Sequence, residues 1–287
     1  MNIKMNHVSY IYNLNQPIQY DALNDINAEV CENEFVAVIG HTGSGKSTLI
    51  QTLNALLIPT SGNVEVDEFI IQKKIKIKNI KQLRKKIGIV FQFPEYQLFE
   101  ENVEKDILFG PKNFGMKSEE LTNLASKVLK MVNLDDSFLE KSPFELSGGE
   151  KRRIAIAGIL AFNPDVLIVD EPTAGLDPQS ANKMMELFYD LYKNKKKTII
   201  LVTHQMNDVL KYATKVFALK KGKLEACMSP QALFQDEKIL QDLQLEKPEI
   251  LKLADEVKKK YPKFDINKVK DIPSFVATLK DVKKWEI

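Results

Sequence analysis

Three short stretches combine residue types and spacings that could do chemistry. Residues 40–47, GHTGSGKS, fit the pattern G-x-x-x-x-G-K-[ST]. Glycines at those positions let the backbone curl until its N–H groups converge on phosphate oxygens. A helix N-terminus behind the loop would add partial positive charge. Lys46 supplies a full charge for β- and γ-phosphates, and Ser47 offers a hydroxyl to Mg²⁺. The second stretch, VLIVDEP at 166–172, is an apolar run that ends in two acids, Asp170 and Glu171. Asp170 suits a Mg²⁺ contact, direct or through water. Glu171 suits polarisation of an attacking water. The plainer alternative is a pair of acids at a strand end. The third stretch is LSGGE at 146–150. Ser147 with Glu150 three residues on is a capping box. It is also a second glycine-rich helix start, able to receive a γ-phosphate, 100 residues beyond Lys46.

These stretches need strands and helices to hold them. FVAVIG (35–40) is a short apolar run ending in glycine, as a buried parallel strand would be. STLIQTLNALL after it reads as a helix, closed by a turn at PTSG (59–62). KKIGIVFQ (85–92), VLIVDEP and TIILVTH (198–204) read as further strands, and EKRRIAIAGILAF (150–162) as a helix. Ile3 to Tyr12 alternates like an edge strand, and ALNDINAEV (22–30) reads as a second strand. A helical region is expected from about Glu101 to Val132. KVFALKKGKLEA (215–226) looks like a hairpin turning at Lys221-Gly222. Strands alternating with helices predict an α/β domain with a mainly parallel sheet. After Pro230 the composition shifts to Lys, Asp, Glu and Leu at helical spacing, interrupted by prolines 248, 262 and 273. That predicts a small helical appendage, which could equally be a cap on the main domain.

Bulk properties narrow the classes. The chain has 287 residues and a net charge of +2, which argues against a dedicated nucleic-acid binder. Arg84, Arg152 and Arg153 are the only arginines in a lysine-rich chain. Two of the three stand at one helix start, which suggests multidentate contacts that lysine would not replace. A solvated cluster is the alternative. Cys31 and Cys227 form no metal spacing and are expected to pack as small hydrophobes in a reducing cytosol. MNIKMNHVSYIYNL lacks the apolar core of a signal peptide. No window approaches 18 consecutive apolar residues. His7 reads as surface or strand edge, and His41 as a loop residue of which only the backbone is demanded. FQFPEYQLFE (91–100) is different: four of its first nine residues are aromatic, on what reads as a loop.

With LSGGE in place, the chain resembles the ATP-binding cassette (ABC) family, the motor subunits of ABC transporters, over residues 1–230. The resemblance implies a P-loop nucleotide-binding domain with an antiparallel β subdomain and a helical subdomain at about 93–163. Domain boundaries of 1–229 and 230–287 follow. ATP would be held by Tyr12, stacking on adenine, and by Gly40, His41, Thr42, Gly43, Ser44, Gly45, Lys46, Ser47 and Thr48. Gln92 fits the glutamine that senses γ-phosphate and contacts the metal, beside Ser47 and Asp170. His204 fits the histidine that contacts γ-phosphate, and Glu171 the catalytic carboxylate. AGLD (174–177) fits the loop in which Asp177 shapes a dimer interface. In the family two cassettes pair head to tail, so Ser147, Gly148 and Gly149 would close over ATP held by the partner. Glu150 stands where the family usually has glutamine and brings a negative charge that Lys151, Arg152 and Arg153 could offset.

FPEYQLF, FGPKNFG (109–115) and PFELSGGEKRRIAIAG (143–158) look like the energy-coupling factor transporter ATPases. That resemblance implies ATP hydrolysis that drives uptake of vitamins, metal ions or other micronutrients, and a peripheral place on the cytoplasmic side of the cell membrane. It implies a homologous ATPase as heterodimer partner and a transmembrane scaffold subunit that docks near Phe93–Glu104. A substrate-binding membrane subunit would be carried by the scaffold, and the C-terminal extension would help hold the two ATPases together. Phe93, Tyr96, Leu98 and Phe99 would line the docking groove, and Glu95, Glu100, Glu101 and Glu104 would charge it negatively. The alternative is that these rings fill the core of the helical lobe. Rival functions are the motor of another ABC importer, or a soluble cassette in DNA repair or translation. No heptad run between loop and signature, and a single cassette, disfavour the soluble ones.

Overall fold

The computed structural model describes residues 1–283; the last four residues of the expected appendage, 284–287, lie outside them. The chain begins with β1 (Ile3–Tyr12), β2 (Tyr20–Val30), β3 (Phe35–Ile39) and α1 (Lys46–Leu53). β4 (Ser61–Val66), β5 (Phe69–Gln72), α2 (Ile80–Lys86) and β6 (Ile87–Val90) follow. A helical lobe holds α3 (Val103–Asn113), α4 (Ser118–Leu121), α5 (Leu124–Met131) and α6 (Gly148–Leu160). The chain returns through β7 (Val166–Asp170), α7 (Pro178–Lys193), β8 (Thr198–Val202), α8 (Met206–Tyr212), β9 (Lys215–Lys220) and β10 (Lys223–Met228). The extension adds α9 (Pro230–Gln235), α10 (Glu237–Asp242), α11 (Glu249–Lys260) and α12 (Ile272–Lys283).

The strands form two sheets, a four-stranded β2-β1-β4-β5 and a six-stranded β10-β9-β3-β8-β7-β6. Within the second, β9, β3, β8, β7 and β6 run parallel, which their unbroken apolar runs require because both faces are covered. Alternation along β3 divides the core. Phe35, Ala37 and Ile39 join the helical lobe, α7 and the extension, whereas Val36 and Val38 join α1 and the four-stranded sheet. Leu233, Phe234, Leu251, Phe264 and Val269 belong to the first of these cores, so the extension shares its apolar interior with the nucleotide domain.

Several expectations need correction. β1 is no edge strand: it hydrogen-bonds β2 on one side and β4 on the other. Its alternation reports one buried face and says nothing about its neighbours. The expected turn at 59–62 is half strand, since β4 begins at Ser61. Gly62 has φ +73°, and an added Cβ would lie 2.1 Å from the His7 carbonyl oxygen, so only glycine fits this crossing of β1. Helix α1 stops at Leu53, four residues early, because Ala55 turns left-handed and Leu56 and Leu57 both return their N–H groups to Gln51 O. The strands β4 and β5 and the helices α2, α7 and α8 have no counterpart in the expectations. Both cysteines are exposed. Cys31 lies just past the buried end of β2, and Cys227 faces outward on the terminal strand β10, next to buried Ala226. Among the described residues, no helix is long and apolar enough to cross a membrane.

Candidate nucleotide site

The sheet register builds the site. Val38 of β3 pairs with Val202 of β8, Val202 with Asp170 of β7, and Val169 with Val90 of β6. Four parallel strands therefore end at one level, and the loops beyond them carry Lys46, His204, Glu171 and Gln92. Ligands of open α/β sheets bind at this carboxyl end. A cavity of about 380 Å³ there is lined by Thr42, Gly43, Gly45, Lys46, Ser47, Thr48, Gln92, Asp170, Glu171 and His204, with Tyr20 and Ala22. Of residues 40–48, read from sequence as a phosphate cradle, Thr42, Gly43, Gly45 and Lys46–Thr48 thus meet the acids and the glutamine brought from β7 and β6, while Gly40 and His41 line the adjoining cavity and Ser44 is buried. Gly45 ends the loop at φ +103°, where an added Cβ would lie 2.4 Å from Ala22 O, so the loop packs directly on β2.

Charge is concentrated here. Lys46 Nζ donates to Gly40 O at 2.6 Å and His41 O at 2.9 Å. Burial pulls its pKa below the usual lysine value, against the opposing charges of Glu171 and Asp170. Burial and the charge of Glu171 push the Asp170 carboxyl up to about 6, against Lys46 and a hydrogen bond from Ser47. Glu171 has φ +47°, an uncommon conformation for a residue with a side chain. Its carboxylate lies 2.9 Å from His204 Nδ1, with the hydrogen bond to Oε1. Oε2 is buried and lies 2.9 Å from the same Nδ1. The Gln205 amide lies 3.2 Å from His204 Nε2, so neighbours on both sides fix the ring. The base and the switch histidine expected from sequence are therefore in direct contact.

Other expected residues sit elsewhere. Tyr12 is half-buried, its hydroxyl 3.2 Å from Thr48 Oγ1 and its ring stacked 6.5 Å from Tyr20. Tyr20, absent from the expectations, donates from its hydroxyl to Gly43 O at 3.0 Å and lines the cavity itself. Nothing local marks it; it is one aromatic at a strand start. Ser147, Gly148 and Gly149 lie at the start of α6, outside the Lys46 cavity, and a Cβ at either glycine would meet nothing. Glu150 completes the capping box, its carboxylate 2.9 Å from Ser147 N and 2.6 Å from Ser147 Oγ. Those bonds to Ser147 hold its carboxyl below the usual range, with help from Arg153 and Lys141. Asp177 also lies outside the cavity, capping α7 through the N–H groups of Gln179 and Ser180.

His41 does more than lend its backbone: Nε2 lies 2.8 Å from Leu243 O, tying the phosphate loop to the extension. Residues Gln244–Glu249 line a second cavity of about 480 Å³ with Lys46, Glu171 and His204. Around FQFPEYQLFE, Pro94–Gln97 forms a short 3₁₀ turn, and the rings are exposed: Tyr96 84%, Phe99 56%, Phe93 37%. The core-filling alternative therefore fails for them, although Leu98 does pack inward. Exposed Phe109 joins them, edge-on to Phe99 with ring centres 4.7 Å apart. The expected negative charge is reduced. Glu95 is half-buried against Arg152, and Glu101 pairs with Lys105 at 2.7 Å. Arg152 is thus a fixed multidentate contact, and it serves Glu95 where an offset to Glu150 was expected.

Comparison with known proteins agrees with this geometry. Residues 23–174 match the family described as ABC transporter. The chain is 51% identical over 257 residues to the energy-coupling factor transporter ATP-binding protein EcfA2 of Enterococcus faecalis, covering 90% of this chain and 89% of that one. It is 52% identical over 261 residues to the protein of the same name from Spiroplasma kunkelii, covering 91% and 86%. Among solved structures, cbiO1 from Clostridium perfringens, part of the ABC transporter complex cbiONQ, superposes with a TM-score of 0.72 at 35% identity, covering 88% of this chain and 98% of that one. The ATP-binding cassette MJ0796, a dimer in a post-hydrolysis state bound to ADP and Pi, gives 0.70 at 31% identity, covering 79% and 98%. The chain belongs to the ABC transporter family and, within it, to the energy-coupling factor transporter ATP-binding proteins.

Proposed function

We propose how this chain, the ATP-hydrolysing subunit of an energy-coupling factor importer, divides its work among its residues. The carrying observation is the single cavity in which four parallel strand ends gather Lys46, Ser47, Gln92, Asp170, Glu171 and His204. Loop 40–48 takes the phosphates of ATP, with Lys46 exchanging its loop carbonyls for β- and γ-oxygens. Tyr12 and Tyr20 flank the base side. The Glu171 carboxylate takes the proton of the attacking water, and His204, 2.9 Å from both of its oxygens, holds that carboxylate in place. Phosphoryl transfer asks the protein for position and charge, which these groups supply.

Ser47, Asp170 and Gln92 bring hard oxygen donors to the same cavity, the small set that Mg²⁺ takes alongside phosphates and water. Magnesium, when bound, supplies neutralisation of the β- and γ-phosphate charge. Ser147–Gly149 and Asp177 lie outside this cavity and serve a second, homologous ATPase set head to tail. Exposed Leu253, Ile272 and Val276 on the extension add to that pairing. The rings of Phe93, Tyr96, Phe99 and Phe109 dock a transmembrane scaffold that carries the substrate-binding subunit, which keeps the ATPase peripheral on the cytoplasmic side of the membrane. Purification of the tagged chain from membranes, with the bound chains identified by mass spectrometry, tests this. A second ATPase and a polytopic membrane protein should be recovered. Recovery of the chain alone, under conditions that preserve other transporters, refutes it.

A further inference from the structure

Arg152 lies in the first two turns of α6, and its side chain is 4% exposed. Its guanidinium donates four hydrogen bonds. Nε reaches Glu95 Oε2 at 3.0 Å, and Nη2 reaches Glu95 Oε1 at 2.8 Å. Nη1 donates to Pro172 O at 3.1 Å and to Ala174 O at 2.8 Å. Each partner belongs to a different working part of the protein. Glu95 sits between Gln92 and the exposed ring of Tyr96. Pro172 follows Glu171. Ala174 opens the loop that ends at Asp177. The guanidinium carbon also lies over the Phe93 ring, 5.6 Å from its centre. Phe93 itself has φ +56°, an uncommon conformation for a bulky residue, immediately after Gln92.

Burial pushes the Glu95 carboxyl up, but the bonds from Arg152 and its own backbone, with the guanidinium charge, hold it below the usual range. The pair is therefore ionised and desolvated, a state that tolerates little change in geometry. We propose that Arg152 and Glu95 are positioning residues that pass displacement of the docking segment to the loop between Glu171 and Asp177. The inference rests on the reading that residues 93–104 dock the membrane scaffold. A push on the turn at Pro94–Gln97 moves Glu95, and the two-pronged contact makes Arg152 follow. The other edge of the same rigid plane holds the carbonyls of Pro172 and Ala174, so the catalytic carboxylate and the partner-facing loop move with it. Packed side chains and hydrogen-bonded networks are the physical carriers of such coupling. Lysine would not serve, because its single point charge cannot hold two carboxylate oxygens and two carbonyls in one plane.

The test uses the full chain with its partner ATPase, with and without the membrane scaffold. ATP hydrolysis is measured in both states, and co-purification confirms that the scaffold is bound. Wild type sets the ratio of bound to free rates. In Glu95→Gln, which keeps the side-chain size, and in Arg152→Lys, the scaffold should stay bound while that ratio collapses toward one. The KM for ATP should stay within about twofold of wild type, because no ATP contact is removed. The double variant should be no worse than either single change. A ratio that keeps its wild-type value in both variants overturns the proposal, as does a wild-type ratio of one. Failure of both variants to fold, or loss of the scaffold from both, also overturns it, since the pair would then be a structural staple or part of the docking face. A Tyr96→Ala/Phe99→Ala complex serves as the separate control: if it retains the scaffold, the docking reading itself is wrong.

Discussion

Replacement of Tyr96 and Phe99 by alanine separates a docking face from a folded core. Tyr96 is 84% exposed, so only about 30 Å² of its roughly 200 Å² is buried within the chain, and truncation should cost about 1 kcal/mol of stability. Phe99 is 56% exposed and edge-on to Phe109, which leaves roughly 90 Å² buried and a cost of about 2 kcal/mol. A domain of ordinary stability survives both losses. At a partner interface the same rings would be central aromatic anchors, each contributing about 2 kcal/mol or more. Loss of two anchors weakens association roughly 10³-fold, enough to lose the complex at micromolar concentrations. The assay is paired: thermal melting and ATP binding of the variant alone, then its co-purification with the membrane scaffold. A folded variant that binds ATP and loses the scaffold is the expected result. Cooperative unfolding lost at room temperature would show that the rings are core after all. A folded variant that keeps the scaffold would refute the docking reasoning.

Two further outcomes follow from the site. Burial pushes Asp208, in the first turn of α8, up to about 6, with Glu171 adding to the effect and Lys211 opposing it. A raised carboxyl stabilises the fold below its unfolded value of 3.8 and loses that contribution as pH rises through about 6. Asp208→Asn should therefore raise the melting temperature at neutral pH, with the gain shrinking as pH falls below 6; a gain of equal size at every pH would contradict this. Because Ser147–Gly149 lie outside the cavity of their own chain, the isolated subunit should hydrolyse ATP poorly, with activity per molecule climbing as dilute chains associate or as the partner ATPase is added. Constant specific activity across a wide dilution series, with no sign of association, would argue that one chain suffices.

Much of this is legible in sequence where chemistry sits at the end of an apolar run. FVAVIG, VLIVDEP and TIILVTH each announce a buried strand, and their last residues carry the phosphate loop, the two acids and the histidine. Their common level comes from the sheet register, which no single run encodes. Contacts between distant segments are not legible. Arg152 meets Glu95 across 57 residues, and His41 meets Leu243 across 202, so no local period encodes either. The scarcity of arginine hints that Arg152 makes fixed contacts, yet only the fold names the partner. Glu95 shows the converse: four acids near a loop read as a charged surface, and burial of one against a guanidinium removes it from that surface. Gly62 misleads for a simple reason, since glycine marks both a turn and a close crossing of strands.

The central claim is that Glu171 activates water for ATP held by Lys46 on the same strand ends. Glu171→Gln keeps the size of the side chain and its place beside His204 but removes the base. In the assembled complex, with the partner ATPase carrying the equivalent change so that only this site is read against wild type, steady-state hydrolysis should fall on the order of 10²-fold or more. ATP binding, followed by a fluorescent nucleotide analogue, should remain within about threefold of wild type, because no phosphate contact is lost. Near-normal turnover in that complex would contradict the account and remove Glu171 from its role.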